Sequence, residues 1–233
     1  MAKLDVSEGL IEELAAEAAP LVAELTGWEL GLRTLVCRVL PKDRGYEEVV
    51  LGRIRGAGVS LDGEHEKGLL ERLLEYVVEG NCLAAYEPGT EQLLVVRENV
   101  DESNLAGLEL IVAHELVHRG QHVNHGYLIE RINRAVRAAF ACLEEPEPRF
   151  REACARVAEV TPVMTLLESH AAYVQEALRR SHLPDARIES HFSLPALLLR
   201  VFGGAKLSQY REALPAVARA TREGSLDALY GSV

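Results

Sequence analysis

The chain has 233 residues, 48 % of them hydrophobic and 26 % charged, with a formal net charge of -11. That composition suits a folded protein with ample core, and the acidic balance argues against nucleic acid or an anionic membrane surface as a partner. No apolar run approaches the roughly 18 residues that span a bilayer, the N-terminal stretch MAKLDVSEGLIEELAAEAAP is acidic where a signal peptide is basic, and Cys37, Cys82, Cys142 and Cys154 form no Cys-x-x-Cys pair, so a cytoplasmic protein with free thiols is the expectation.

Residues Val6 to Leu25 read as an amphipathic helix, with Leu10, Leu14, Ala18, Leu21 and Leu25 on one stripe. Pro20 removes an interior hydrogen bond and is expected to kink or split it, and Gly27 ends it. Leu30 to Leu40 and Val49 to Ile54 alternate branched apolar with polar residues and read as strands, separated by the turn residues Pro41 to Gly45. His65 to Val78 returns to helical spacing and is closed by Gly80-Asn81. Cys82 to Tyr86 and Gln92 to Arg97 flank Pro88-Gly89 and read as a hairpin.

After the turn residues Asn99 to Ser103, Leu105, Leu108, Ile111, Val112 and Leu116 recur at helical spacing with no proline. A helix from about Asn104 to about His122, capped by Ser103 or Asp101, follows. A turn at Gly126 separates it from a helix over Tyr127 to Leu143, and Glu144 to Pro148 forms a loop. Phe150 to Val160 is helical, Pro162 opens a new helix over Val163 to Arg180, and Leu194 to Phe202 and Leu207 to Thr221 are further helices. The expected fold class is α+β and mostly helical, in a single domain over residues 1–233: a helix and small sheet in 1–103, then a helical half in 104–233.

The central helix carries His114-Glu115-Leu116-Val117-His118. Four residues apart on a helix, His114 and His118 share a face and can grip one cation with two imidazoles. Glu115 sits beside that cation without pointing at it, where a general base acting on water is needed. The competing reading is a solvated Glu between two ordinary helix histidines. Ile111, Val112, Ala113, Leu116 and Val117 mark the helix as buried, however, and unpaired polar groups there would cost several kcal/mol. Zn2+ is the expected ion, because it lowers the pKa of bound water to about 7.

A catalytic zinc normally has three protein ligands. The metzincin spacing fails, because Gln121 and Asn124 stand where its Gly and third His belong. His122 is one further turn along the same helix, and three ligands spread over about 12 Å are too far apart for one metal. Glu168 is a single acid between Leu166-Leu167 and Ala171-Ala172 on a later helix, where a buried carboxylate wants a metal or a cation. A solvent-facing Glu on an amphipathic helix remains the alternative there, since Gln175 and Arg179 already make a polar side.

His-Glu-x-x-His followed fifty residues later by Glu168 resembles the gluzincin branch of the zincin metallopeptidases. The blocks HELVHRGQ, TLLESHAAYVQEAL and GGAKLSQYREALPAV are similar, more narrowly, to a set of zincin-like hydrolases that share a Glu-x-His helix and a Lys-x-x-Gln-Tyr segment. The resemblance implies a zincin-like fold with a small N-terminal sheet, a metal-binding helix and a helical C-terminal half. It implies His114, His118 and Glu168 as zinc ligands and Glu115 as base. Two departures stand out. The Asp that many gluzincins carry four residues after the third ligand, to orient a metal-bound His, is Ala172 here. His170, two residues from Glu168 and about 200° round the helix, cannot share the metal; it is a supporting or substrate-side group, or a packed His bonded to a carbonyl.

Hydrolysis also needs a donor for the developing oxyanion. Tyr210, His191, Tyr173 and Arg200 are candidates, and Tyr210 is preferred because Lys206, Gln209 and Tyr210 form the third similar block; equally, Tyr210 and Lys206 can be ordinary packing residues. An edge strand, Leu93 to Arg97 or Cys82 to Tyr86, could pair with an extended peptide. The expectation is therefore a zinc-dependent metallopeptidase or a related hydrolase of a small amide. The rival is a non-catalytic zincin-fold module that binds a peptide or protein around a structural or vestigial zinc site.

Overall fold

The computed structural model describes residues 4–45, 48–49, 52–59, 83–143, 148–187 and 213–233. The expected helices over His65 to Val78 and Leu194 to Phe202, and the candidate residues Cys82, His191, Arg200, Lys206, Gln209 and Tyr210, lie outside them.

Helix α1 spans Glu8–Thr26, entered through Ser7, whose hydroxyl accepts from the Leu10 N–H at 3.4 Å, and closed by Gly27 at φ 72. Pro20 lies inside and does not split it. The proline forgoes one hydrogen bond, to the Ala16 carbonyl, while Ile11, Leu14, Ala15, Ala18 and Val22 bury a continuous face that holds the helix together. After Trp28 the expected strand is shortened at its start. Gly31 adopts φ 59 and a single 3-10 turn occupies Leu32–Thr34, so β1 is Val36–Leu40. Burial, with Glu12 and Glu8 nearby, pushes the free thiol of Cys37 up to about 11, so it stays protonated.

A one-turn helix α2 follows at Lys42–Gly45, and the expected strand over Val49 to Ile54 is not formed: Gly52–Gly56 is a short helix, α3. Ile54 and Ala57, three residues apart, are both buried. That is one helical face, whereas strand alternation would have buried every second residue.

The hairpin is formed by β2 (Ala84–Glu87) and β3 (Gln92–Val96), paired antiparallel with Tyr86 opposite Leu93. Its turn is tied by the Glu87 carboxylate, which accepts from the Gly89 N–H at 2.9 Å. β1 joins the other side of β3 in parallel, Val36 opposite Gln92, giving the order β1-β3-β2. β3 is thus central, with Leu93, Leu94, Val95 and Val96 all buried, and among the described residues β2 is an edge.

Two long helices complete the described core. α4 runs from Leu105 to Leu143 and α5 from Pro148 to Ser181. The cap of α4 is Asn104, not Ser103 or Asp101: its side-chain oxygen accepts from the Gly107 N–H at 2.9 Å, and its amide donates to the Arg187 carbonyl at 3.1 Å. Asp101 instead binds the Ser103 N–H and hydroxyl. The break expected at Gly126 falls one residue earlier: α4 is two helices joined across a kink at the non-helical His125 (φ -134, ψ 38), beside which the Asn124 amide donates to the Gly120 carbonyl at 2.8 Å and the Glu29 carbonyl at 2.9 Å. Pro162 likewise sits inside α5 and starts no new helix; Val157, Val160, Val163, Met164 and Leu167 pack on both sides of it. Helices α6 (Leu214–Glu223) and α7 (Leu226–Gly231) end the chain. The architecture is α+β and mostly helical. Among the described residues no helix is long and apolar enough to cross a membrane.

The cap offers a direct check. A Cβ on Gly107 would sit 2.2 Å from the Asn104 amide nitrogen and 2.9 Å from the Arg187 carbonyl. Gly107→Ala must therefore displace the cap, and the expected cost is about 1–2 kcal/mol despite alanine's higher helix propensity, read as a lower urea midpoint at unchanged slope.

Candidate metal centre

α4 brings His114 and His118 onto one face, and α5 packs across that face with Glu168. The two imidazole Nε2 atoms are 3.2 Å apart, and the Glu168 carboxylate oxygens lie 3.8 Å from His114 Nε2 and 3.4 Å from His118 Nε2. All three ligand atoms fall within 4.8 Å of one another, so this His-His-Glu group could hold a metal ion. Two nitrogens each about 2.05 Å from a tetrahedral zinc would be about 3.3 Å apart, so the observed spacing needs almost no adjustment. His114 is buried, Glu168 nearly so at 9 %, and the His118 side chain keeps 18 % of its surface exposed, which places the open side of the cluster next to His118.

The charge balance favours a cation at this spot. Burial by itself would depress the His114 imidazole, but the hydrogen-bonded Glu168 carboxylate and the Glu115 charge outweigh it and hold its pKa above the ordinary histidine value. A proton or a metal ion satisfies the same field.

A glutamine orients His118. The Gln121 amide nitrogen donates to the Leu167 carbonyl at 2.8 Å, which fixes which end of the amide is oxygen; that oxygen lies 2.7 Å from His118 Nδ1. His118 therefore carries its proton on Nδ1 and turns the Nε2 lone pair toward the cluster. On the other side, Gln175, seven residues past Glu168 and two turns along the same face of α5, donates its amide to the Leu110 carbonyl at 3.3 Å, and its side chain adds to the groups that hold the His114 pKa up.

Glu115, one residue on from His114, faces the sheet. The edge strand β2 donates the Tyr86 N–H to its carboxylate at 2.7 Å, which anchors the carboxylate beside the cluster. The next turns of the same stripe hold the Tyr86 ring: Arg119 donates to the phenol oxygen at 3.0 Å, and His122 Nδ1 is 2.8 Å from it. Burial pushes the Tyr86 hydroxyl up to about 12 despite Arg119, so it stays protonated. Of the two runs that could offer an edge to an extended peptide, β3 is enclosed between β1 and β2, which leaves β2 beside the cluster.

The structure thus brings His114, His118 and Glu168 together and sets Glu115 beside them. His170 is fully buried and bonds the Tyr230 hydroxyl through Nδ1 at 2.8 Å, not a carbonyl. Tyr173 is half-buried on α5, about 140° round that helix from Glu168. Sequence reasoning missed Gln121 as an orienting group and Arg119 as a clasp. The local signal for Gln121 was its position, one turn beyond His118. No family model matches this chain, and neither a curated protein nor a solved structure matches it.

Proposed function

We propose that the chain is a zinc-dependent hydrolase of gluzincin type with a zincin-like fold, acting on peptide bonds. The observation that carries this reading is the convergence of His114 Nε2, His118 Nε2 and a Glu168 oxygen within 4.8 Å, with the His118 lone pair aimed inward by Gln121 and an acid, Glu115, poised beside the group without joining it. A bound zinc would supply a Lewis acid that lowers the pKa of water to about 7. Glu115 would take the proton from the attacking water and return it to the leaving amine. The outward edge of β2, one residue of which already holds Glu115, supports a substrate with an extended backbone over a compact amide.

A second reading has its own observation. Glu115 is only 4 % exposed and is bonded to a backbone N–H, which also suits a structural carboxylate in a non-catalytic module that binds a peptide or protein partner.

Competition with a chromophoric chelator tests the metal. The parent chain should bind one zinc ion, and Glu168→Ala should weaken binding by more than about 100-fold, since even outer-sphere partners are worth 10–100-fold. Equal affinity in the two chains would remove Glu168 from the ligand set.

A further inference from the structure

The C-terminal helix α7 reaches the metal cluster through one atom. Tyr230 is fully buried; its ring stacks on His125 with centroids 4.4 Å apart and stands perpendicular to Trp28 at 5.2 Å. Its hydroxyl oxygen accepts from the Gln121 amide at 3.0 Å and lies 2.8 Å from His170 Nδ1. His118 Nδ1–H donates to the Gln121 oxygen, and the Gln121 N–H donates to Tyr230. Four side chains from α4, α5 and α7, His118, Gln121, Tyr230 and His170, form a single hydrogen-bonded chain leading away from the cluster.

We propose that Tyr230 is a positioning residue for the metal centre, and that docking of α7 and occupancy of the His-His-Glu group are thermodynamically coupled. The proposal rests on the metal reading given above. A cation on His118 Nε2 withdraws electron density from the imidazole and makes its Nδ1–H a stronger donor, and the polarisation passes to the next bond in the chain. Undocking α7 removes one of the two acceptors of the Gln121 amide, leaving it held by the Leu167 carbonyl alone, and loosens the grip of that amide on His118. Coupling of this kind is reciprocal: the factor by which docked α7 tightens the metal is the factor by which the metal tightens α7. α7 is suited to the role because its own hold is slight. It has six residues, with Leu226 and Tyr230 as its buried side chains, and its other ties are Tyr127 Oη to the Tyr230 carbonyl at 3.2 Å and His125 to Asp227 at 3.3 Å. Such segments open first.

The test uses zinc itself as probe, on the full chain. Tyr230→Phe keeps the ring against Trp28 and His125 but deletes the hydroxyl; it should weaken zinc binding by about 10-fold. Trp28→Phe disturbs the aromatic packing on Tyr230 and His170 but keeps every hydrogen-bonding group of the chain; it should lower the Tm of the zinc-free protein and change the zinc Kd far less than Tyr230→Phe. Amide exchange over residues 226–231 should slow on adding zinc in the parent chain and not in Tyr230→Phe. An unchanged Kd in Tyr230→Phe overturns the coupling, as does parent-chain exchange over 226–231 that is indifferent to zinc; the latter decides the matter if the variant does not fold. Failure of the parent chain to bind zinc at all would overturn the metal reading itself, a result distinct from tight binding with no coupling.

Discussion

Glu115→Gln should bind zinc as tightly as the parent chain and lose at least about 10³-fold in kcat/KM on any peptide the parent cleaves. General acid–base groups contribute 10²–10⁴-fold, and Gln has no basic lone pair to take a proton from water. The substitution is gentle for a structural reason. The Tyr86 N–H lies 2.7 Å from the Glu115 carboxylate, and the Gln side-chain oxygen can accept the same bond, so β2 keeps its place along α4. Glu115 contributes no atom to the His114, His118, Glu168 group, so zinc affinity should not move. Three outcomes are informative. Full activity in Glu115→Gln removes it as the base. Loss of zinc together with activity shows that Glu115 shapes the ligand set. A zinc-loaded parent chain that cleaves nothing in a peptide library, while binding peptides, assigns the fold to recognition rather than hydrolysis.

What could be read ahead of the structure was set by the range over which residues inform on one another. His114, Glu115 and His118 lie within five residues of one helix, so helical geometry alone puts two imidazoles on one face and the acid beside them. Glu168 could be found at a distance because an isolated acid among Leu166, Leu167, Ala171 and Ala172 needs a partner wherever it goes. The last partner of the centre carried no such signal: Tyr230 reaches Gln121 from another helix more than a hundred residues on, and nothing in its spacing announces it.

Local rules misled where packing overrode them. Pro20 and Pro162 each cost a hydrogen bond, yet both helices run through, because the apolar faces of α1 and α5 are buried on either side of the proline. Val49 to Ile54 has strand-like composition, but Gly52–Gly56 forms a short helix in which Ile54, with Ala57 just beyond it, is buried at helical spacing. The hairpin was legible, and so was β1 as the second half of the strand expected over Leu30 to Leu40; its pairing was not, because β1 joins β3 in parallel across a long crossover, and parallel partners need no adjacency in sequence.

Arg119→Met should be the most destabilising single change among the residues near the site, and it tests the fold independently of any chemistry. Arg119 is 1 % exposed, and its guanidinium is divided among several segments. Nε donates to the Leu30 carbonyl at 2.7 Å, one terminal nitrogen to the Tyr86 hydroxyl at 3.0 Å, and the other to the Gly31 carbonyl at 2.6 Å and the Thr34 hydroxyl at 2.7 Å. The last nitrogen also pairs with Glu91 at 3.1 Å. Glu91 is itself 42 % exposed at its side chain and can turn to water, so that ion pair is worth little. The cost lies in the other partners. Methionine fills the stem's volume but leaves the buried Leu30 carbonyl without the Arg119 donor and takes that donor from the Tyr86 hydroxyl and the Gly31 carbonyl, at about 1–3 kcal/mol for each group that water cannot reach. A total loss of about 3–5 kcal/mol is expected, equivalent to roughly 10 °C in Tm for a chain of this size. Glu91→Gln should cost far less than Arg119→Met, because an exposed ion pair is worth little. Equal, small effects in both variants would show that the guanidinium serves only the surface pair; a large loss confined to Arg119→Met identifies it as the clasp that holds the 30–34 loop and β2 against α4.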